Sequence, residues 1–494
     1  MRCEYACGST EHQIARRQFL GTLLGGSAMA GGLATLAQPA ASAELAKQQK
    51  RVLVFNMAGG LSQLESWDPK PGTATGGPFR AIGTSVPGVH ICELLPETAK
   101  QMHRLAIVRS VNTKEGDHGK GAYMMMTGRK QTPASDFPRI GAVAAKTLAS
   151  DASGLPGHIQ ITAGGGGRAN DSAYLGPKYA GLLMGNGQPP QNTARPDQIT
   201  QVSDDQRNAM RRAVNDRFLS RRRTAMTDAY TYSYEQAQQL MAQREIFDVT
   251  KESEQDQARY GKHDLGRHCL LARRLLEKGI TYVQVSHSNY DSHNENFNFH
   301  LEQLGEFDHP FATIVGDLAD RGLLESTLIV VLSEFGRTPN INHLFGRDHW
   351  GNAWSVLMGG ARVHPGAVIG KTNENGTAVI DREVDHGHLF HTYLQAVGVD
   401  STKSFDIDGR PIPIADLLGL NASHGPVAAY LGNFLGMLNF LLKCVVGVTV
   451  MMWARWTLPR FRYDQLMDLA WKAMIPISIV NFLVTAAVVQ LLRS

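Results

Sequence analysis

The chain alternates short, β-branched apolar runs with longer polar or amphipathic stretches. "RVLVFNM" (51–57) leads directly into "AGGLS", a strand signal ended by a glycine turn. "RLAIVRSV" (104–111), "HIQITA" (158–163), "ITYVQVS" (280–286) and "STLIVVLS" (326–333) repeat the pattern, and "GNAWSVLMGG" (351–360) supplies another strand. These runs are nearly continuous in apolar residues, as strands buried on both faces require. Between them, "DLGRHCLLARRLLEKG" (264–279) has apolar residues at helical spacing and stops at a glycine. The alternation predicts an α/β domain over 51–422 with a mostly parallel central sheet. The stretch from about 196 to 261, rich in Arg, Gln, Asp and Glu, predicts a helical insertion.

Both ends depart from this pattern. The first 43 residues contain Arg16-Arg17, a Gly/Ala-rich run of moderate hydrophobicity and the small-x-small site Ala41-Ser42-Ala43. In that order they resemble a twin-arginine export signal. At the other end, Pro426–Trp453 is nearly all apolar, with Lys443 its one charged residue, and Ala473–Leu492 is another apolar run. Each is long enough to cross a hydrocarbon layer of about 30 Å as a helix. The loop between them carries Arg455, Arg460, Arg462 and Lys472. The expectation is a transmembrane hairpin over 426–494 with that loop in the cytoplasm. The domain would then be periplasmic, anchored in the cytoplasmic membrane and in contact with its lipid.

Composition adds mostly exclusions. A formal charge of +4 spread over 494 residues gives no basis for a nucleic-acid partner. Cys92, Cys269 and Cys444 follow the signal without metal-type spacing, so neither a disulfide framework nor a cysteine zinc site is expected.

In open α/β sheets, ligands bind beyond the carboxyl ends of the strands. The segments that follow the predicted strands are where this chain concentrates its acids and imidazoles. They carry Glu65 and Asp68, then Asp117 and His118, then Asp291, His293 and His300, then Glu334, Arg337, Arg347, Asp348 and His349. "REVDHGHLFHTYL" (382–394) adds Asp385, His386, His388 and His391 at a helix start. Imidazole together with carboxylate suits zinc, manganese or iron better than calcium or magnesium.

"GGLSQLESWDPKP", "GDHGKGAYMMMTGR", "DSHNENFNFH", "LSEFGRTPNIN" and "GRDHWGN" occur in an order that resembles one exported bacterial family, domain of unknown function 1501, over about residues 10–422. That resemblance implies a fold similar to the alkaline phosphatase and sulfatase superfamily, an alkaline phosphatase-like sandwich. It also implies metal-dependent hydrolysis of phosphate or sulfate esters, with a small anionic ester or a sulfated or phosphorylated glycan as partner. The superfamily pattern is matched only in part. Its first strand ends in an Asp, where this chain reads Asn56-Met57-Ala58 and Glu65 is the nearest acid. The sulfatase cysteine position, nine residues before the Thr of "TGR", is held by His118, and no C-x-P-x-R exists. A later Asp-His pair is matched by Glu334-Phe335.

What remains as metal-ligand candidates is Asp291, His293, Glu334, Asp348, His349 and His388, with Glu65 at the first strand end. Arg337 and Arg347 are candidates for holding anionic oxygens with their planar forks, and Arg337 equally for a scaffold pair with Glu334. His118 reads as a ligand, a general acid, a covalent acceptor or a helix-capping loop residue.

The tail "MMWARWTLPRFRYDQLMDLAWKAMIPISIVNFLVTA" closely resembles the end of the NuoH component of NADH-quinone oxidoreductase, over about residues 432–494. It corresponds to the last two membrane helices of that component, without the earlier ones that build the quinone cavity. Three classes follow: a tethered hydrolase-like enzyme, a non-catalytic binding or structural protein with a degenerate metal centre, and a respiratory-complex component.

Overall fold

The computed structural model describes residues 49–413, apart from 133–135, 150–154, 163–170, 186, 191–192, 220–224, 402–403 and 408–409. Numbering only the strands of the main sheet, β1 is Arg51–Met57, β2 Leu105–Val111, β3 His158–Thr162 and β4 Leu182–Met184. β5 is Tyr282–His287, β6 Thr327–Leu332, β7 Trp354–Gly360 and β8 Val368–Ile369. Their spatial order is β8-β2-β7-β6-β1-β5-β3-β4. β1 lies at the centre, parallel to β5 and β6. The pairs β5–β3, β3–β4 and β8–β2 are also parallel. β7 runs against both its neighbours.

That reversal places the site. The chain leaves β6 at its carboxyl end and enters β7 from the same side. The whole segment 333–353 therefore stays on the edge where the other strands end.

The helices are α1 (Pro96–Gln101), α2 (His118–Thr127), α3 (Ile140–Leu148), α4 (Gln201–Leu219) and α5 (Ala225–Ala242). They continue with α6 (Glu254–Tyr260), α7 (Asp264–Glu277), α8 (Asn296–Asp320) and α9 (His386–Ala396). The predicted insertion contains α4, α5 and α6. Arg211 and Arg212 of α4 pair with Glu235 of α5.

Strand periodicity divides β1 between two apolar layers. Leu53, Phe55 and Met57 join α7 and α8 on one face, while Val52 and Val54 join α3 and α9 on the other. Phe55 meets the edges of Phe307 and Phe311 at ring-centroid distances of 5.8 and 5.2 Å. The methionine run 124–126 of α2 is wholly buried and serves packing. Burial of both faces explains why the strands read as continuous apolar runs.

By its contacts the chain divides between Asn421 and Ala422. The export signal expected over 1–43 and the membrane hairpin expected over 426–494 lie outside the described residues. Among the described residues, no helix is long and apolar enough to cross a membrane.

Candidate metal centre

The glycine turn after β1 builds one wall of the site. Gly59 has φ +118°, and a Cβ there would stand 2.5 Å from the Asp291 backbone nitrogen. The absent side chain is what lets the β1 turn and the loop after β5 close on each other. The Gly59 N–H donates to Glu334 Oε1 at 2.9 Å. Ser333 Oγ accepts from the N–H groups of Gly60 and Leu61 and lies 2.9 Å from Glu334 Oε2. Glu334 is thus a buried carboxylate held by the Gly59 N–H, and the Ser333 hydroxyl beside it has one proton to offer either Glu334 Oε2 or the Met57 carbonyl at 2.6 Å.

Asp291 is the hub. It accepts from Arg337 Nη2 at 2.6 Å. Three imidazole Nε2 atoms surround it: His118 at 3.2 Å, His293 at 3.1 Å and His349 at 3.3 Å. The Nε2 atoms of His293 and His349 are 2.9 Å apart. The potential ligand atoms of His118, Asp291 and His349 all lie within 4.8 Å of one another. Burial pushes the Asp291 carboxyl up, but Arg337, His118 and His349 outweigh it and hold it at about 2.

The other nitrogen of each ring is committed elsewhere. His118 Nδ1 is 2.7 Å from Glu334 Oε1, His293 Nδ1 is 2.7 Å from Asp348 Oδ1, and His349 Nδ1 is 2.6 Å from the Gly116 carbonyl. All three partners accept, so Nδ1 is the nitrogen that donates on each ring, and a ring without a second proton turns an Nε2 lone pair inward. Metal-bound histidines are held this way, with the far N–H given to a carboxylate or carbonyl. Two neutral imidazoles with lone pairs facing at 2.9 Å repel unless a cation, proton or metal, lies between or beside them. His118 Nε2 is buried and, despite its nearness to Asp291, not aligned for a hydrogen bond. The donor set therefore fits a divalent metal that favours nitrogen and oxygen ligands.

The electrostatics of the rings differ. The hydrogen bond to Glu334 raises the His118 pKa, with burial opposing. Burial lowers that of His349, against the pull of the Gly116 carbonyl. The bond from His293 lowers that of Asp348. Phe335, fully buried, forms the floor, with ring centroids 4.8 Å from His118 and 4.5 Å from His349. In the sequence Phe335 is a departure from an Asp-His pair; in the fold it is the floor on which two imidazoles pack.

Other candidates stand elsewhere. Arg347 is fully buried and faces Glu65, also fully buried, with Nη2–Oε1 at 2.8 Å. Its remaining donors go to the carbonyls of Thr338, Pro339 and Thr75. Neither member of this pair is turned toward a ligand, because each is the other's counter-charge. Arg337 spends its fork on Asp291 and on the carbonyls of Gly59, Gly60 and Arg347, so it positions Asp291 rather than pairing with Glu334. His388 completes a capping box with Asp385 at the start of α9. His118 is the first residue of α2, and the cap is its neighbour Asp117. His300 is fully buried and accepts from the Ser62 N–H. Ser333 and Asn342 support the site without any signal in the sequence to single them out. Asn342 donates to the His293 carbonyl at 2.8 Å, and only the fold brings those segments together.

The tail's likeness is confined to a fragment. A profile described as NADH dehydrogenase matches residues 413–486. A NuoH protein of NADH-quinone oxidoreductase from Cytophaga hutchinsonii is 41% identical over 105 residues, 21% of this chain and 29% of that protein. The chain thus spans less than a third of the length of this curated relative. Two solved structures share low scores with the chain. One is a protein in the alkaline phosphatase superfamily from Vibrio parahaemolyticus, with TM-score 0.33, 12% identity and coverage of 72% of this chain and 67% of that one. The other is a sulfatase from a Pseudoalteromonas species, with TM-score 0.32, 15% identity and coverage of 77% and 76%. Likenesses this weak say nothing about activity. The profile described as protein of unknown function (DUF1501) matches residues 49–422, a span that holds the whole main sheet and every residue of the cluster, and the chain belongs to that family.

Proposed function

We propose that the α/β domain is a metal-dependent hydrolase of phosphate or sulfate esters, with His118, Asp291 and His349 holding the ion and His293 beside them. The observation that carries this reading is the set of inward Nε2 atoms around one carboxylate, each ring locked from behind by an acceptor. A divalent ion held there would supply Lewis acidity toward a phosphoryl or sulfuryl oxygen. The chain's own residues do the positioning. Arg337 fixes Asp291, and Glu334, itself held by the Gly59 N–H, sets the ring plane of His118. Residues Asn56, Met57 and Ala58 at the end of β1 offer neither an acid nor a hydroxyl. The nucleophile in this reading is therefore water rather than a side chain.

The test is metal analysis of the full-length chain purified from its native compartment, followed by assays on aryl phosphate and aryl sulfate. Stoichiometric zinc, manganese or iron and slow hydrolysis are expected, with His118→Ala lowering both metal content and rate. A second reading, a binding protein with no turnover, is favoured by Arg337 and Arg347, since both guanidinium groups are spent inside the protein. Metal retention without hydrolysis of any ester would select it.

We also propose that the tail acts as a membrane anchor and not as a respiratory component, with the domain exported and the loop Ala454–Lys472 cytoplasmic. The fragment likeness to NuoH supports membrane insertion of this segment. With Cys444 replaced, a cysteine probe at Ser220 should react with an impermeant thiol reagent in cells with a permeabilised outer membrane. A probe at Thr457 should stay protected, and its labelling would reverse the topology.

A further inference from the structure

Beside the cluster, the loop 342–346 holds two large apolar side chains in water. Phe345 is 67% exposed and Leu344 51%. Phe345 also has φ 56°, a left-handed conformation that is a genuine outlier for an aromatic residue. Exposure and backbone strain both count against stability, and nothing in the core gains from either.

The loop is nevertheless tightly built. The Asn342 side-chain oxygen accepts from the N–H groups of Leu344 and Gly346, each at 2.9 Å. Its amide donates to the His293 carbonyl at 2.8 Å. The Leu344 and Phe345 carbonyls accept from the N–H groups of Glu295 and Asn296 at 3.1 and 3.0 Å. Glu295, on the facing segment, is itself left-handed at φ 49°. A strained aromatic is thus pinned to the segment that carries His293, three residues ahead of Asp348 in the chain.

Strain that the surroundings over-determine clusters at binding sites. We infer that Phe345 is a specificity-determining platform beside the His/Asp cluster, selecting esters whose alcohol contains a ring, aryl or pyranose, over simple alkyl esters. This rests on the hydrolase reading above and adds the substrate class to it. Packing a ring against an aromatic side chain whose backbone is already fixed by the loop's own bonds costs less ordering entropy than ordering a free loop.

The test uses the full-length chain in detergent with three substrates of one ester type and similar leaving-group acidity: benzyl sulfate, glucose 6-sulfate and methyl sulfate. Wild type should favour the two ring esters by about tenfold in kcat/KM. Phe345→Ala should erase that preference through KM with kcat held, since the contact is made equally in ground and transition states. Phe345→Trp should retain it. Phe345→Asn, which suits the left-handed backbone, should raise the melting temperature while raising KM for ring esters. A purely structural role for Phe345 would not produce that trade-off. The two ring substrates separate aryl from sugar recognition. Activity on all three esters with KM unchanged in Phe345→Ala overturns the platform and leaves the hydrolase reading standing. Wild type inert on all three overturns both.

Discussion

On the hydrolase reading proposed above, Asp291→Asn should strip the domain of divalent metal and lower ester hydrolysis by about 10³-fold or more, a loss consistent with several kcal/mol of transition-state charge stabilisation. Among the described residues, Asp291 is the carboxylate that all three inward imidazole nitrogens approach, none farther than 3.3 Å. The amide keeps the shape of the side chain and can still accept from Arg337, so the fold is expected to survive. What it loses is the negative charge that makes a site of imidazoles and a nearby guanidinium attractive to a cation. Asp348→Asn provides the graded comparison. It acts through His293, which stands beside the ligand set, so its effect should fall below the loss of about 10–100-fold in metal affinity that partners of direct ligands typically carry. Metal content by mass spectrometry and rates on one aryl ester decide the matter. Full metal occupancy in Asp291→Asn would remove that residue from the ligand set.

How far the sequence can be read follows from what each kind of signal encodes. Apolar runs mark strands because a strand buried on both faces must be apolar throughout, and the six runs predicted as strands each contain one. β4 and β8 leave no such mark: they are three- and two-residue edge strands, too short for periodicity. The candidate residues come from a rule about position, that strand ends face ligands. That rule names which loops share an edge but not which side chains turn inward. His118, Asp291, His293, Glu334, Asp348 and His349 lie together. Glu65 and Arg347 sit on equally good loops, yet they neutralise each other below the surface. His388 is a helix-start residue whose capping geometry competes with ligation, and Asp385 three residues before it is the clue. The reversal of β7, which keeps Asp348 and His349 on the site's edge, leaves no mark in the hydrophobic pattern, because parallel and antiparallel central strands are equally apolar.

Glu65→Gln should destabilise the domain by about 3–5 kcal/mol, the largest stability effect expected of any single change near the site. Both side chains of the Glu65–Arg347 pair are fully excluded from water, and Arg347 approaches the carboxylate with both Nε and Nη2. Burial alone would raise the Glu65 pKa; Arg347, with help from His300, outweighs it and leaves the carboxyl below its ordinary value. With Gln in place, the guanidinium stays buried with only carbonyl oxygens and an amide around it, and an uncompensated interior charge is what makes breaking such pairs expensive. For a domain of this size the loss corresponds to a fall of about 5 °C in melting temperature. The double variant Glu65→Met/Arg347→Met tests the cause. It removes both charges, so it should recover most of the loss if the orphaned guanidinium is responsible. The pair also joins the β1 turn to the segment leading into Asp348 and His349, through the Thr75, Thr338 and Pro339 carbonyls. Metal affinity of the double variant therefore reports whether that anchor is needed to hold the ligands in place. A Glu65→Gln protein that melts with the wild type would show that the interior tolerates the Arg347 charge without its carboxylate.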